Sequence, residues 1–197
     1  ITEDKNNLKE IIGNQNFIFL EQDITKSLEK ELRVDYIFHL ASPASPNKKS
    51  PRSYINHPIE TLLVNSLGTY NLLELAKKIS SKFLFASSSE VYGDASVSPQ
   101  SEDYFGNVNP NGIRSVYDEG KRFGEAITAS YVREYALDAR IIRIFNTYGP
   151  MMQIDDGRVV SNFINQVILN KSITIYGDGS QTRSFCYIDD MVEGLML

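Results

Sequence analysis

One cysteine, Cys186, and two histidines, His39 and His57, are all that 197 residues contain of the two best zinc ligands. A lone cysteine excludes an internal disulfide, and three such ligands are too few for a structural zinc site. Cations are also in deficit. Twenty Lys and Arg stand against 25 Asp and Glu for a net charge of -5. The basic residues are scattered, so the electrostatic footprint of a nucleic-acid binder is missing. No apolar run approaches the roughly 20 residues that span a bilayer. The opening Ile1-Thr2-Glu3-Asp4-Lys5 lacks the charged-then-apolar order of a secretion signal. Internal repeats and low-complexity tracts are absent too. No metal, nucleic acid or membrane contact is expected of this segment, and a reducing cytoplasm is the default compartment.

What is present is ordinary in amount and informative in order. With 42% hydrophobic and 23% charged residues, the chain carries enough apolar surface for one sizeable core. Short apolar runs alternate with segments of helical period, the pattern of an α/β protein with a parallel sheet. Strands are expected at 17–20, 36–40, 82–86 and 140–145, with a short helix at 27–32 between the first two. A long amphipathic helix at 59–79 joins the second strand to the third, with Leu62, Leu63, Leu67, Leu72, Leu75 and Ala76 on its apolar stripe. A helix at 117–135 joins the third strand to the fourth. Right-handed crossovers then describe a doubly wound sheet. Beyond Arg158 the pattern weakens to a helix ending near Asn170, a short strand at 173–176 and a fresh helix start. Three long irregular segments, 42–58, 87–116 and 146–157, follow the carboxyl ends of expected strands, where open α/β sheets place their ligand crevice.

Several residues there can carry chemistry. Tyr117 and Lys121, four apart on one helix, share a face one turn apart. A nearby ammonium favours the phenolate, which predicts a lowered Tyr117 pKa and proton exchange with a substrate hydroxyl. Ser87-Ser88-Ser89-Glu90 falls where the third strand ends, so its hydroxyls and carboxylate reach the crevice that the Tyr117 helix borders. Singly, a Tyr/Lys spacing or a serine run also fits coincidence or turn chemistry; together, in one topology, they point to acid–base work. Tyr176-Gly177-Asp178-Gly179, followed by Arg183, combines a glycine-rich turn with a guanidinium suited to clamping a phosphate.

The stretches at 87–93 (SSSEVYG), Tyr117-x-x-x-Lys121, Arg143-x-x-Asn146-x-x-Gly149-Pro150 and 176–185 (YGDGSQTRSF) resemble the NAD-dependent epimerase/dehydratase family, extended short-chain dehydrogenases that act on nucleotide sugars. His39-Leu-Ala-Ser-Pro-Ala-Ser-Pro46, Gly106-Asn-Val-Asn-Pro110, Tyr117-Asp-Glu-Gly-Lys-Arg122 and 156–163 (DGRVVSNF) narrow the likeness to its UDP-glucuronate decarboxylases. The resemblance implies a Rossmann-like doubly wound fold, with residues 1–145 in the NAD-binding domain and 146–197 in a substrate-binding region. It implies bound NAD, a UDP-sugar substrate, and a homodimer formed through helices 59–79 and 117–135. Its catalytic set maps onto Tyr117, Lys121, Ser88, Ser89 and Glu90. Asp23, Ile24, Leu40, Ala41, Ser42, Ala86, Thr147 and Arg158, with Tyr117 and Lys121, map onto cofactor contacts, and Asn71, Tyr131, Asn146, Tyr176 and Arg183 onto substrate contacts. The implied chemistry is oxidation at C4 of UDP-glucuronate, loss of CO₂ and re-reduction to UDP-xylose.

Related 4,6-dehydratases carry Asp-Glu where this chain has Ser89-Glu90. Losing that acid suits a departing CO₂ better than a departing water. A 4,6-dehydratase, a 4-epimerase and a cofactor-less binding homologue are the alternatives. Two departures stand out. Leu63-Val64 replace the Lys-Thr that commonly precedes the family's Asn-x-x-Gly segment, here Asn65-Ser-Leu-Gly68. No Gly-x-x-Gly-x-x-Gly turn occurs, although the family needs one after its first strand to approach a pyrophosphate. The expectation is therefore an internal piece, missing the fold's first strand-helix-strand and cut short within the substrate region. A Golgi-lumenal location is implied instead if an anchor precedes it.

Overall fold

A computed structural model of the chain describes residues 5–26, 28, 32–154 and 156–197. Its centre is a parallel sheet in the order β1 (Tyr36–His39), β2 (Lys82–Ser88), β3 (Ala139–Ile144), with Phe38 opposite Leu84 and Leu84 opposite Arg140. Strand β1 leads to β2 through α1 (Pro58–Leu63), a widened π-helical stretch at Val64–Gly68, and α2 (Thr69–Ile79). Strand β2 leads to β3 through α3 (Ser115–Tyr135). Pro58 opens α1 at the one helical position where a missing N–H is harmless. The two expected helices are thus present, the second starting at Ser115.

Strand β2 lies between its two neighbours and beneath the helices, which is why it reads as a continuous apolar run rather than an alternating one. Phe83 and Phe85 from β2 pack with Leu73 and Ala76 of α2, Tyr131 of α3, and Leu137 and Ala139. Helix α3 comes close to the sheet because residue 124 is glycine: a Cβ there would lie 2.1 Å from Cζ of Phe85. A second, two-stranded parallel sheet pairs β4 (Asn146–Tyr148) with β5 (Phe185–Tyr187). Between them lies α4 (Val159–Ile168), and α5 (Ile188–Met196) follows. Three-residue strands are too short to display a period, and the sequence reading missed both.

Two expected strands are corrected. Residues 17–20 have no regular secondary structure and pair with no strand among the described residues, with Ile18, Phe19 and Leu20 exposed. A strand needs a neighbour to satisfy its backbone, and none lies beside this run among the described residues. Residues 173–176 are likewise outside any sheet, held instead by the Gln166 side chain, which accepts from Thr174 N at 3.0 Å and donates to its hydroxyl at 2.9 Å. The short helix expected at 27–32 falls mostly on residues outside those described. No described helix is long and apolar enough to cross a membrane.

Candidate active site

Three elements converge at the carboxyl end of β2. Ser88, its last residue, accepts a hydrogen bond from Glu90 N at 3.3 Å, and this caps the single turn Ser89–Tyr92. The turn reverses at Gly93, which has a positive φ of 60° and leaves no room for a Cβ against the Asn107 carbonyl. Opposite, the first turns of α3 present Tyr117, Asp118 and Lys121, which are only 7%, 7% and 3% exposed. The Ser88 hydroxyl lies close enough to the Tyr117 phenol to favour its ionised form. Tyr54, from the loop after β1, stacks on that phenol with ring centroids 5.0 Å apart and planes at 12°.

Lys121 Nζ donates to the Ala86 carbonyl at 2.7 Å and lies over the rings of Phe85 and Tyr117 at 5.1 and 5.7 Å. Burial pulls its pKa down to about 8. For Tyr117 the expected lowering is overturned. Burial outweighs the Ser88 hydroxyl and the positive charge of Arg158 and pushes the phenol up. The ammonium is committed to the strand carbonyl and the ring faces, so it does not offset the desolvation. Beneath this group His39, 1% exposed, pairs Nε2 with the Thr69 hydroxyl at 3.0 Å. Burial, with the charge on Lys121, lowers its pKa to about 4, so it is neutral at pH 7.

A cavity of about 1240 Å³ opens beside the Ser89–Tyr92 turn, lined by Ser89, Glu90, Arg114, Asp118, Asn146 and Arg183 among others. Arg114 ion-pairs with Glu90. Burial raises Asp118 to about 6, and its Oδ1 is buried without a hydrogen-bond partner among the described residues. Arg143 forms a two-pronged pair with Glu125 at 2.9 and 2.8 Å and also donates to the Tyr92 hydroxyl and the Glu102 carbonyl, both at 2.9 Å. Ser87 completes that cluster by donating to Glu125 at 2.6 Å. Tyr54, Arg114, Asp118 and Glu125 escaped the sequence reading. Only Asp118, directly after Tyr117, carried a positional hint.

The remaining expected site residues divide. Ala86, Ser88, Tyr117 and Lys121 are together, and Ser89, Glu90, Asn146 and Arg183 share the cavity wall. Leu40 and Ala41 lie exposed after β1, and the Ser42 hydroxyl accepts from Asn65 at 2.9 Å. Asp23 is turned onto its own loop, accepting from Thr25 N and Oγ1, while Ile24 packs over Gly68. Arg158 donates to the Ala44 carbonyl at 2.9 Å. Three of the residues expected to contact substrate lie outside the cavity lining. Asn71 donates to the Ile24 carbonyl at 2.9 Å, holding that loop against α2. Tyr131 lies in the core and hydrogen-bonds Glu74 of α2, roughly four turns and 21 Å along α3 from Tyr117. Tyr176 is 76% exposed and outside the cavity lining.

A nicotinamide cofactor fits the buried half of this arrangement. Lys121 presents one strong acceptor contact for an ammonium with three donors, and the Thr147 hydroxyl is buried with no partner among the described residues. Both are polar groups that a ribose or carboxamide satisfies. The family model described as "NAD dependent epimerase/dehydratase family" matches residues 3–197. The chain belongs to that family. UDP-glucuronic acid decarboxylase 6 of Arabidopsis thaliana is 52% identical over 195 residues, covering 99% of this chain and 55% of the relative. UDP-glucuronic acid decarboxylase 1 of Xenopus tropicalis is 49% identical over 192 residues, covering 98% and 44%. Among solved structures, UDP-glucuronic acid 4-epimerase from Bacillus cereus, in complex with UDP-glucuronic acid and NAD, has a TM-score of 0.78 at 31% identity, covering 98% of this chain and 58% of that one. A dTDP-glucose 4,6-dehydratase from Streptomyces venezuelae with NAD bound scores 0.80 at 27% identity, covering 98% and 57%. The chain therefore spans about half the length of the curated relatives it matches. The Rossmann-like parallel fold expected of this epimerase/dehydratase member is the observed one, and NAD is the cofactor of the family.

Proposed function

We propose that this chain carries the acid–base half of an NAD-dependent UDP-glucuronate decarboxylase. The observation that carries the reading is the constellation at the end of β2: a buried phenol beside the Ser88 hydroxyl, with the Lys121 ammonium one helical turn away and 5.7 Å from the phenol ring. The choice of substrate is supported by the decarboxylases that are about half identical over nearly the whole chain. Oxidised NAD, when bound, takes and later returns a hydride at C4 of the sugar and adds a positive charge that favours the phenolate.

Tyr117 removes the O4 proton, and Ser88 hydrogen-bonds the same oxygen and holds it in line. With C4 a ketone, the C6 carboxylate is β to a carbonyl. The C5–C6 bond breaks, CO₂ leaves, and its electron pair remains on C5 as an enolate conjugated with the ketone, so this step needs no external base. A proton then adds to C5, Tyr117 returns its proton to O4, and the product is UDP-xylose. Burial of Tyr117 and Lys121 keeps water from the reacting oxygen. Asn146 and Arg183, on the far wall, hold the nucleotide-sugar.

A 4-epimerase uses the same serine, tyrosine and lysine, and the likeness to the Bacillus cereus enzyme gives that second reading its support. Full-length protein incubated with UDP-glucuronate and NAD is expected to release CO₂ and UDP-xylose, and Tyr117→Phe to lower the rate by about 10²–10⁴-fold. A C4 epimer that retains its carboxylate would establish the epimerase instead, and no turnover would remove both readings.

The same proposal includes a homodimer. Ile59, Leu63, Leu67 and Tyr70 are exposed at helical spacing along α1–α2, and Phe123 and Val132 are exposed on the neighbouring α3. Two such helix pairs facing each other bury both stripes. Sedimentation of the full-length protein as a monomer would reject it.

A further inference from the structure

Three cations line the cavity, Arg114, Arg143 and Arg183, and they are differently engaged. Arg143 already spends its donors on Glu125, the Tyr92 hydroxyl and the Glu102 carbonyl, so it is fixed in the wall. Arg183 stands among the exposed residues before β5 and turns one donor back to the Thr182 carbonyl at 2.6 Å. Arg114 is the remaining one. It immediately precedes α3, and its charge acts on Tyr54, Tyr117 and Asp118. Its one ion-pair partner among the described residues is Glu90, through a single guanidinium nitrogen, and half of its side chain is exposed. A half-exposed, one-pronged pair contributes little, so its cation is easily recruited by a better acceptor. A planar guanidinium accepts a carboxylate through two parallel bonds, which is the better arrangement.

The electrostatics demand such a cation. A sugar carboxylate entering the cavity meets Glu90, Asp94 and Asp118, all on its wall. Without compensation it is repelled; a neutral hexose is not. Building on the decarboxylase reading above, we infer that Arg114 is the specificity-determining residue for a carboxylate-bearing sugar, exchanging Glu90 for the substrate's C6 carboxylate. Binding of a uronate turns the guanidinium from Glu90 to the ligand. Departure of CO₂ removes the competing carboxylate, and the Arg114–Glu90 pair re-forms beside an uncharged sugar. The wall thus holds the substrate more strongly than the product at the one group by which they differ.

The test uses full-length protein in the Tyr117→Phe background, which slows turnover, with UDP-glucuronate, UDP-glucose and UDP titrated calorimetrically. Arg114→Gln is expected to weaken UDP-glucuronate by roughly tenfold or more while leaving UDP-glucose and UDP within about twofold. Arg114→Lys, which keeps the charge without the fork, should fall between. UDP binding doubles as a check that each variant is folded. A uniform loss across all three ligands, or no loss for the uronate, overturns the inference. The outcomes separate cleanly from those of the parent reading. If the protein with Tyr117 intact decarboxylates UDP-glucuronate and Arg114→Gln binds it normally, only the role of Arg114 fails. If it shows no activity on UDP-glucuronate, both fail.

Discussion

The two walls of the cavity are built differently. At the β2–α3 junction Phe85, Tyr117 and Lys121 are packed to near-zero exposure, the Lys121 ammonium is committed to a strand carbonyl, and a glycine lets the helix press onto the sheet. On the β4–β5 wall the strands are three residues long, and residues 169–185 are exposed throughout. The first wall holds its proton-transferring groups in place before any ligand arrives. The second gains its order from what it binds or packs against. Under the proposed function, acid–base catalysis would tolerate little positional error, whereas a nucleotide-sugar clamp would have to open for exchange, so the division of packing would follow the division of work.

Guanidinium unfolding of the full-length protein tests this contrast. The largest loss is expected for Gly124→Ala: a Cβ 2.1 Å from Phe85 Cζ must push helix and strand apart, at a cost of about 3 kcal/mol. Glu125→Ala comes next. It leaves Arg143 with only the Tyr92 and Glu102 oxygens and unseats Ser87, and a partly buried pair broken this way costs about 2 kcal/mol. Asp118→Asn has a smaller effect that depends on pH. The folded carboxyl titrates near 6 and the unfolded one near 3.8, so the native state binds the proton more tightly. Its contribution is full below pH 3.8 and is lost as pH rises through about 6. The asparagine variant should therefore gain on the parent protein by something on the order of 1 kcal/mol between those limits. Smallest of all, Arg183→Gln and Tyr176→Ala should stay within about 0.5 kcal/mol. If either matched the loss from Glu125→Ala, the two walls would be equally rigid and the contrast would be wrong.

Residues that act through local spacing were readable. Tyr117 and Lys121 share a helix face by arithmetic alone, and the buried run at 82–86 announced the central strand. Contacts across long loops were not. Tyr54 meets Tyr117, and Glu90 meets Arg114, because irregular segments fold back in ways that no period encodes. Tyr131, placed among substrate contacts by resemblance alone, lies in the core roughly four turns along α3 from Tyr117, a position that its motif did not convey. The direction of the Tyr117 pKa was illegible for a related reason. Spacing places an ammonium nearby, but only packing shows that it spends itself on the Ala86 carbonyl while desolvation dominates. The run at 17–20 has a strand's composition without a partner beside it among the described residues, and strand structure is a property of pairs.

The missing side chain at residue 124 reaches further than packing. Lys121 lies one turn before Gly124 on α3, and Phe85, which the glycine admits, is the residue just before Ala86, whose carbonyl holds the ammonium at 2.7 Å. The glycine thus works as a depth stop. How far the helix sinks toward the strand sets how far the lysine and its neighbouring tyrosine stand from the end of the sheet. A single methyl, added a full helical turn from the nearest reacting group, would recalibrate the reach of the whole acid–base pair.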